Sequence, residues 1–178
     1  MIQLKKPSEI EQMRVSGRVV ARALRVMSEA ILPGKTTPKE LDALGARIIE
    51  EGGGIPSFLN YRGYPAATCI SVNEVVVHGI PNDIPLEEGD IVGLDLGVCI
   101  DGWHADAAWT YPVGKISPEA QRLLNVSRES LFQGIAKAKV GNRLGDIGSA
   151  VQKYVESNSY SVVRALVGNS GWVRVPRI

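Results

Sequence analysis

Residues 89–106 read GDIVGLDLGVCIDGWHAD, and two acids within them, Asp95 and Asp106, stand where position implies chemistry. Asp95 interrupts an apolar run made by Ile91, Val92, Leu94, Leu96 and Val98, a setting in which Asp is unusual. Asp101-Gly102 is a strong reverse-turn dipeptide, and Asp106 follows on the far side of it. A turn there sets residue 97 opposite 106, with Asp95 two residues along on the same face. A turn one position earlier opposes Asp95 and Asp106 directly. Side chains alternate with period two, so either register points both carboxylates one way. Directly opposed Cβ atoms lie about 4.5–5.5 Å apart, and like charges at that spacing destabilise a sheet.

Such a pair needs a shared proton, a basic neighbour or a cation. No Lys or Arg lies within either run. The pattern alone leaves open that one acid faces solvent at a strand end. If both are buried, a divalent cation is favoured over a shared-proton acid–base pair, because hard metals prefer carboxylate oxygen. His78 ends the run VVVHGIP, at a strand terminus before a glycine, and His104 shares the face of Asp106 if its strand is regular. A lone histidine is more often structural than catalytic, so neither defines a site by itself.

The elements that must position these groups follow from periodicity. Ser8 and Glu11 have capping-box spacing, and Ile10, Met13, Gly17, Val20, Leu24, Met27 and Ile31 form one apolar helical stripe that ends at LPGK. A second helix opens at Thr37, with Pro38 in its first turn and Glu40 completing another box. It carries Leu41, Leu44 and Ile48 and stops at GGG. From about 56 to 114 the period becomes strand-like. ATCISVN and EVVVHGIP form one pair around Asn73-Glu74, and DIVGLDLGVCI and GWHADAAWTYPV form another. Helices return at Ser117-Pro118, carrying Ala120, Leu124, Leu131 and Ile135, and near Asp146, carrying Ile147, Val151 and Val155; SVVRALV reads as a final strand. The order implies an α+β domain with helices packed on one face of an antiparallel sheet.

The chain has 178 residues, 44% hydrophobic and 22% charged, with a formal net charge of +1. That length suits a single domain with a sizeable core. Charges of both signs are mixed, so no basic face calls for nucleic acid or a membrane surface, and the polar-faced start reads as neither signal peptide nor span. Cys69 and Cys99 lie far apart in apolar runs, which suits reduced thiols in a cytoplasmic protein.

Three segments, ATCISVNEVVVHGIP, EEGDIVGLDLGVCIDGWHADAAWTYPVG and SVVRALVG, closely resemble the type I methionine aminopeptidases in order and spacing, over about Ile2 to Gly168. The resemblance implies a pita-bread α+β fold, of which this chain holds the N-terminal part, with pseudo-symmetric halves clasping two divalent ions. By the motif, Asp95 matches the ligand of one metal and Asp106 the acid that bridges both. His78 matches the histidine that contacts substrate near the scissile peptide, and Phe58, Tyr61, Tyr64 and Cys69 match positions lining the methionine pocket. The implied ions are Mn, Fe or Co, with Zn a further candidate, roughly 3.5–4 Å apart. The implied substrates are peptide or nascent-chain N-termini in the cytoplasm, with no nucleic acid beyond the nearby ribosome and no membrane.

After Gly168 the sequence leaves the family pattern. Asn169 stands where the family has a metal-binding histidine, and residues 169–178 read as a divergent tail following a 1–168 metallo-aminopeptidase domain that is incomplete. Codons for Val175-Pro176-Arg177-Ile178, read one base along, permit the family's Phe-His-Glu, so a displaced reading frame is the expected origin of the tail. The expectations are then a metal-dependent hydrolase of weak or no activity, self-association through uncovered apolar surface, or, as the alternative, a non-catalytic pita-bread module that binds protein.

Overall fold

Pro7 starts the first helix. Proline lacks an N–H and its φ is preset for a first helical position, so the chain enters α1 (Pro7–Glu29) there. Glu9 accepts from the Lys6 backbone N–H at 2.6 Å. The expected box at Ser8 and Glu11 is therefore displaced, and Glu11 pairs with Arg14 instead. The second box forms as expected: Thr37 Oγ1 accepts from Glu40 N, Glu40 Oε2 accepts from Thr37 N, and α2 spans Pro38–Glu51. The structure, a computed structural model, describes residues 4–164 and 166.

Four antiparallel strands follow: β1 (Ile55–Pro56), β2 (Cys69–Val72), β3 (Ile91–Ile100) and β4 (Trp103–Pro112). β3 is central. β4 runs along its whole length, while β1 pairs with residues 98–99 and β2 with residues 92–95. Asp101 and Gly102 both take positive φ, 51° and 81°, the two-residue turn that suits strand twist, and this fixes Gly97 opposite Asp106. Val92, Leu94, Leu96 and Val98 are fully buried and pack with Val20, Leu24 and Met27 of α1 and Leu41, Ile48 and Ile49 of α2. Both helices thus cover one face of the sheet. Ser16, wholly buried in α1, donates to the Trp103 carbonyl at 2.7 Å and pins the helix to β4.

One expected strand is absent. Residues 75–80 form no strand: the turn at Asn73 is present and is closed by Val75 N to Val72 O, but beyond it the stretch meets the β2 backbone through Ile70 N to Gly79 O alone. Val75, Val76 and Val77 stay exposed, and His78 takes a left-handed φ of 57°. A β-branched run favours strand only when a partner edge accepts it along its length. His78 therefore lies in a loop.

A second compact unit opens at Ser117. It holds α3 (Pro118–Ile135), capped by Ser117, and α4 (Leu144–Ser157). The two helices pack closely: a Cβ on Gly134 would lie 2.9 Å from Val151 Cγ2. The buried face of α3 is Val126, Ser130 and Gly134, whereas Leu131 and Ile135 of the expected stripe are exposed. Among the final expected strand, Ser161 to Val163 are irregular, Ala165 and Val167 lie outside the described residues, and so does the 169–178 tail with Asn169. No helix among the described residues is long and apolar enough to cross a membrane.

Candidate metal centre

The face of β3 turned away from the helices carries Ile91, Gly93, Asp95, Gly97 and Cys99. Gly93 and Gly97 flank Asp95 and leave its carboxyl unshadowed on its own strand. On β2, Cys69 pairs with Asp95; on β4, Ala108 pairs with Asp95 and Asp106 with Gly97. Cys69, Asp95 and Asp106 therefore share one face, the arrangement that the Asp-Gly turn dictates.

Burial, then the Asp106 charge, then a hydrogen bond to Asp106 raise the Asp95 carboxyl to about 7. Asp106 keeps an exposed edge but packs against the sheet on its other side, and that burial raises it too, while the bond from Asp95 draws it back. Asp95 is thus the acid whose charged form is the more strongly disfavoured. Among the described residues neither acid enters an ion pair. The repulsion is relieved by a proton, or by a cation that takes its place.

Two carboxylates facing one way fit one side of a divalent ion's shell, which draws on six or so oxygen ligands. Among the described residues no three potential His, Cys, Asp or Glu ligands come together. The donor set has the right chemistry for a hard cation and too few members to hold it tightly.

The other expected site residues fall in two groups. Phe58 is drawn in: a Cβ on Gly97 would lie 3.0 Å from its Cε1, so only glycine lets the ring rest over the strand opposite Asp106. Cys69 is buried beside Asp95, and burial, with the nearby Asp95, pushes its thiol up. The Tyr64 hydroxyl is directed at the Thr68 and Gly79 carbonyls, and burial, with the Cys69 thiol nearby, pushes it far above the ordinary range. His78 and Tyr61 are held differently. His78 is exposed and is fixed through Gly79, whose carbonyl accepts from Ile70 N and from Tyr64 Oη and whose N–H donates to Ser71 Oγ. The Tyr61 ring sits 5.5 Å from the Arg62 guanidinium carbon.

Three residues near the site gave no sequence signal. Ser57 Oγ lies 2.9 Å from His104 Nδ1, which turns that histidine toward β1 rather than leaving it free, and burial lowers its basicity. Asp42 and Thr68, from α2 and the entrance to β2, are joined by two hydrogen bonds. Each of these partners is distant in sequence, so no local spacing could reveal it.

A sheet face with paired acids, backed by two helices, is the metal-bearing arrangement of a known class of hydrolases. The model of metallopeptidase family M24 matches residues 11–171, and the chain belongs to that family, in its methionine aminopeptidase branch. It is 48% identical to the methionine aminopeptidase of Clostridium perfringens and 47% identical to methionine aminopeptidase 1 of Bacillus subtilis, in each case over 95% of this chain and 68% of the relative's length. The crystal structure of methionine aminopeptidase from Rickettsia prowazekii superposes with a TM-score of 0.89 at 39% identity, covering 92% of this chain and 65% of that one. The chain thus spans about two thirds of the length of these relatives, and the fold is the pita-bread α+β fold of its structural neighbours.

Proposed function

We propose that this chain carries the site of a metal-dependent aminopeptidase for peptides that begin with methionine, working at well below the rate of a complete metal shell. The observation that carries the reading is the placement of Asp95 and Asp106 on one sheet face with Cys69 and Phe58 beside them. Asp95 and Asp106 would hold the divalent ions, two in number and Mn, Fe or Co before Zn, given oxygen donors. When bound, such an ion supplies a Lewis acid that polarises the first peptide carbonyl.

The rest is the work of the chain's own groups. Asp95, raised to about 7, would hold a divalent ion only in its deprotonated form, which ties loading to pH. Cys69 stays a neutral thiol and presents a soft, apolar sulfur suited to a thioether side chain. Tyr64 directs its hydroxyl to backbone carbonyls, leaving its ring, with Phe58 and Tyr61, to form the apolar wall. His78, exposed on its loop, contacts the substrate near the scissile bond. In this reading residues 1–168 are the metallo-aminopeptidase portion and 169–178 diverge from it. The substrates are nascent or free peptide N-termini in the cytoplasm, near ribosomes, without nucleic-acid or membrane binding, and the exposed apolar residues of α3 promote self-association.

The test is incubation of the purified chain with Mn or Co and a Met-Ala-Ser peptide. Slow methionine release that Asp106→Ala abolishes is expected. No release at any metal concentration rejects the hydrolytic reading and leaves the non-catalytic protein-binding module.

A further inference from the structure

Asp42 lies in α2 next to Leu41, which is fully buried, and one turn before Gly45, where a Cβ would lie 2.9 Å from Met27 Sδ. This stretch of helix is set firmly into the core. A single oxygen of Asp42, Oδ1, accepts from Thr68 N at 2.7 Å and from Thr68 Oγ1 at 2.8 Å. Thr68 has no exposed surface and immediately precedes Cys69, the residue opposite Asp95. The Thr68 carbonyl faces the Tyr64 hydroxyl at 3.0 Å, and the same hydroxyl lies 2.8 Å from the Gly79 carbonyl. Gly79 is clamped besides by Ile70 N at 2.9 Å and Ser71 Oγ at 3.1 Å. A Cβ on Gly79 would overlap the Ile70 carbonyl, so the clamp tolerates only glycine. His78, the next residue back, is held at a left-handed φ of 57°, which a non-glycine residue keeps only when its surroundings impose it.

We propose that Asp42 is a positioning residue for the candidate site: through one carboxylate oxygen it fixes Thr68, and through Thr68 and Tyr64 it fixes the backbone of Gly79 and His78. The inference rests on the site assignment above for the importance of His78 and Cys69, but the placement itself can be read without any hydrolysis. Because one oxygen accepts both bonds, charge is not required. An asparagine can offer its amide oxygen in the same place, whereas alanine leaves two buried donors of Thr68 without a partner.

The experiment uses the whole 178-residue chain, which has two histidines. Cα and Cβ chemical shifts of His78 report its left-handed backbone, and those of His104 report β4. Asp42→Ala should move the His78 shifts to extended values and speed exchange of the Ile70 amide about tenfold or more, while His104 and the Leu94 amide stay unchanged. Asp42→Asn should restore both signals. Unchanged His78 shifts in Asp42→Ala overturn the proposal, and so do equal changes at His104 and Leu94, which mark general loosening. If Asp42→Ala does not fold, Tyr64→Phe decides, because it removes the hydroxyl that joins Thr68 to Gly79: His78 must shift while His104 does not. In the methionine-release assay Asp42→Ala should lower kcat, with recovery in Asp42→Asn. A chain that releases no methionine at all rejects the hydrolytic reading alone, and the His78 shifts still decide for or against Asp42.

Discussion

The helix pair α1–α2 and the helix pair α3–α4 are assembled from the same local parts. Both open with proline at the first helical position, both second helices run for 14 residues, and both pairs meet at a glycine, Gly45 against Met27 and Gly134 against Val151. Their burial differs sharply. α1 buries Ser16, Val20, Ala23, Leu24 and Met27 against strands, whereas α3 buries only Val126, Ser130 and Gly134 and leaves Leu123, Leu131, Phe132 and Ile135 exposed. Capping and propensity suffice to start and stop a helix, but a sheet is what converts an apolar stripe into a core.

Substitutions that remove the same side chain from each region should expose this difference most. Leu94→Ala, at a fully buried position of β3, should cost about 2–5 kcal/mol, a large share of the roughly 5–15 kcal/mol that holds a domain together. Leu131→Ala should change stability by about 0.5 kcal/mol or less. Urea unfolding followed by Trp103 and Trp109, both on β4, reads the first, and helix circular dichroism reads the second. Leu131→Ala should also lower the apparent mass seen by light scattering at high concentration, since it trims an exposed apolar patch. Equal losses at the two positions would mean that α3 is as well supported as the sheet, and the comparison would fail.

The sheet also carries a conflict that the helices do not relieve. The Asp95 carboxyl titrates near about 7 in the folded chain against an ordinary value of 3.8. The folded state therefore keeps a proton that the unfolded state has lost across this window. Unfolding free energy should fall as pH rises from about 4 to about 7 and level off above, by on the order of 2 kcal/mol once solvent at this open face is allowed for. Asp95→Asn should flatten that slope in denaturation curves measured at several pH values. Excess Mn at pH 8 should recover part of the loss by binding the folded state alone. A slope of the opposite sign would mean that the two acids are not coupled as their shared face implies.

What was legible in the sequence follows the same division between local and distant causes. The turn at Asp101-Gly102 set the register of Asp95 and Asp106 because two positive-φ residues there admit one hairpin geometry. Thr37 and Glu40 announced α2 for an equally local reason. Pro7 displaced the expected cap from Ser8 to Lys6, two residues earlier, a competition between two local signals. The valines at 75–77 misled because strand pairing depends on a partner edge, and here the chain meets β2 only at the turn bond of Val75 and at Gly79, with no ladder between. Leu131 and Ile135 misled because α3 has apolar residues on more than one side, and only the position of α4 selects which is buried. Asp42 gave no sequence signal, because its partner, Thr68, is 26 positions away.

Smaller effects than those at Leu94 and Asp95 are expected at the caps, where the two regions should agree. Thr37 Oγ1 accepts from Glu40 N at 3.2 Å and Ser117 Oγ from Ala120 N at 3.1 Å, both at exposed helix starts. Alanine at either position removes one acceptor from an orphan N–H, and each substitution should cost about 1 kcal/mol. Because a cap acts within the first turn, the loss should not depend on whether a sheet lies behind the helix. Its reach should differ, however. Thr37→Ala should shift the unfolding followed by Trp103 and Trp109, whereas Ser117→Ala should shift the helical signal of α3 and leave those tryptophans unchanged, because the two caps belong to separate compact units. If Ser117→Ala displaces the tryptophan transition as far as Thr37→Ala does, the units unfold as one, and the contrast between the two helix pairs ceases to be energetic.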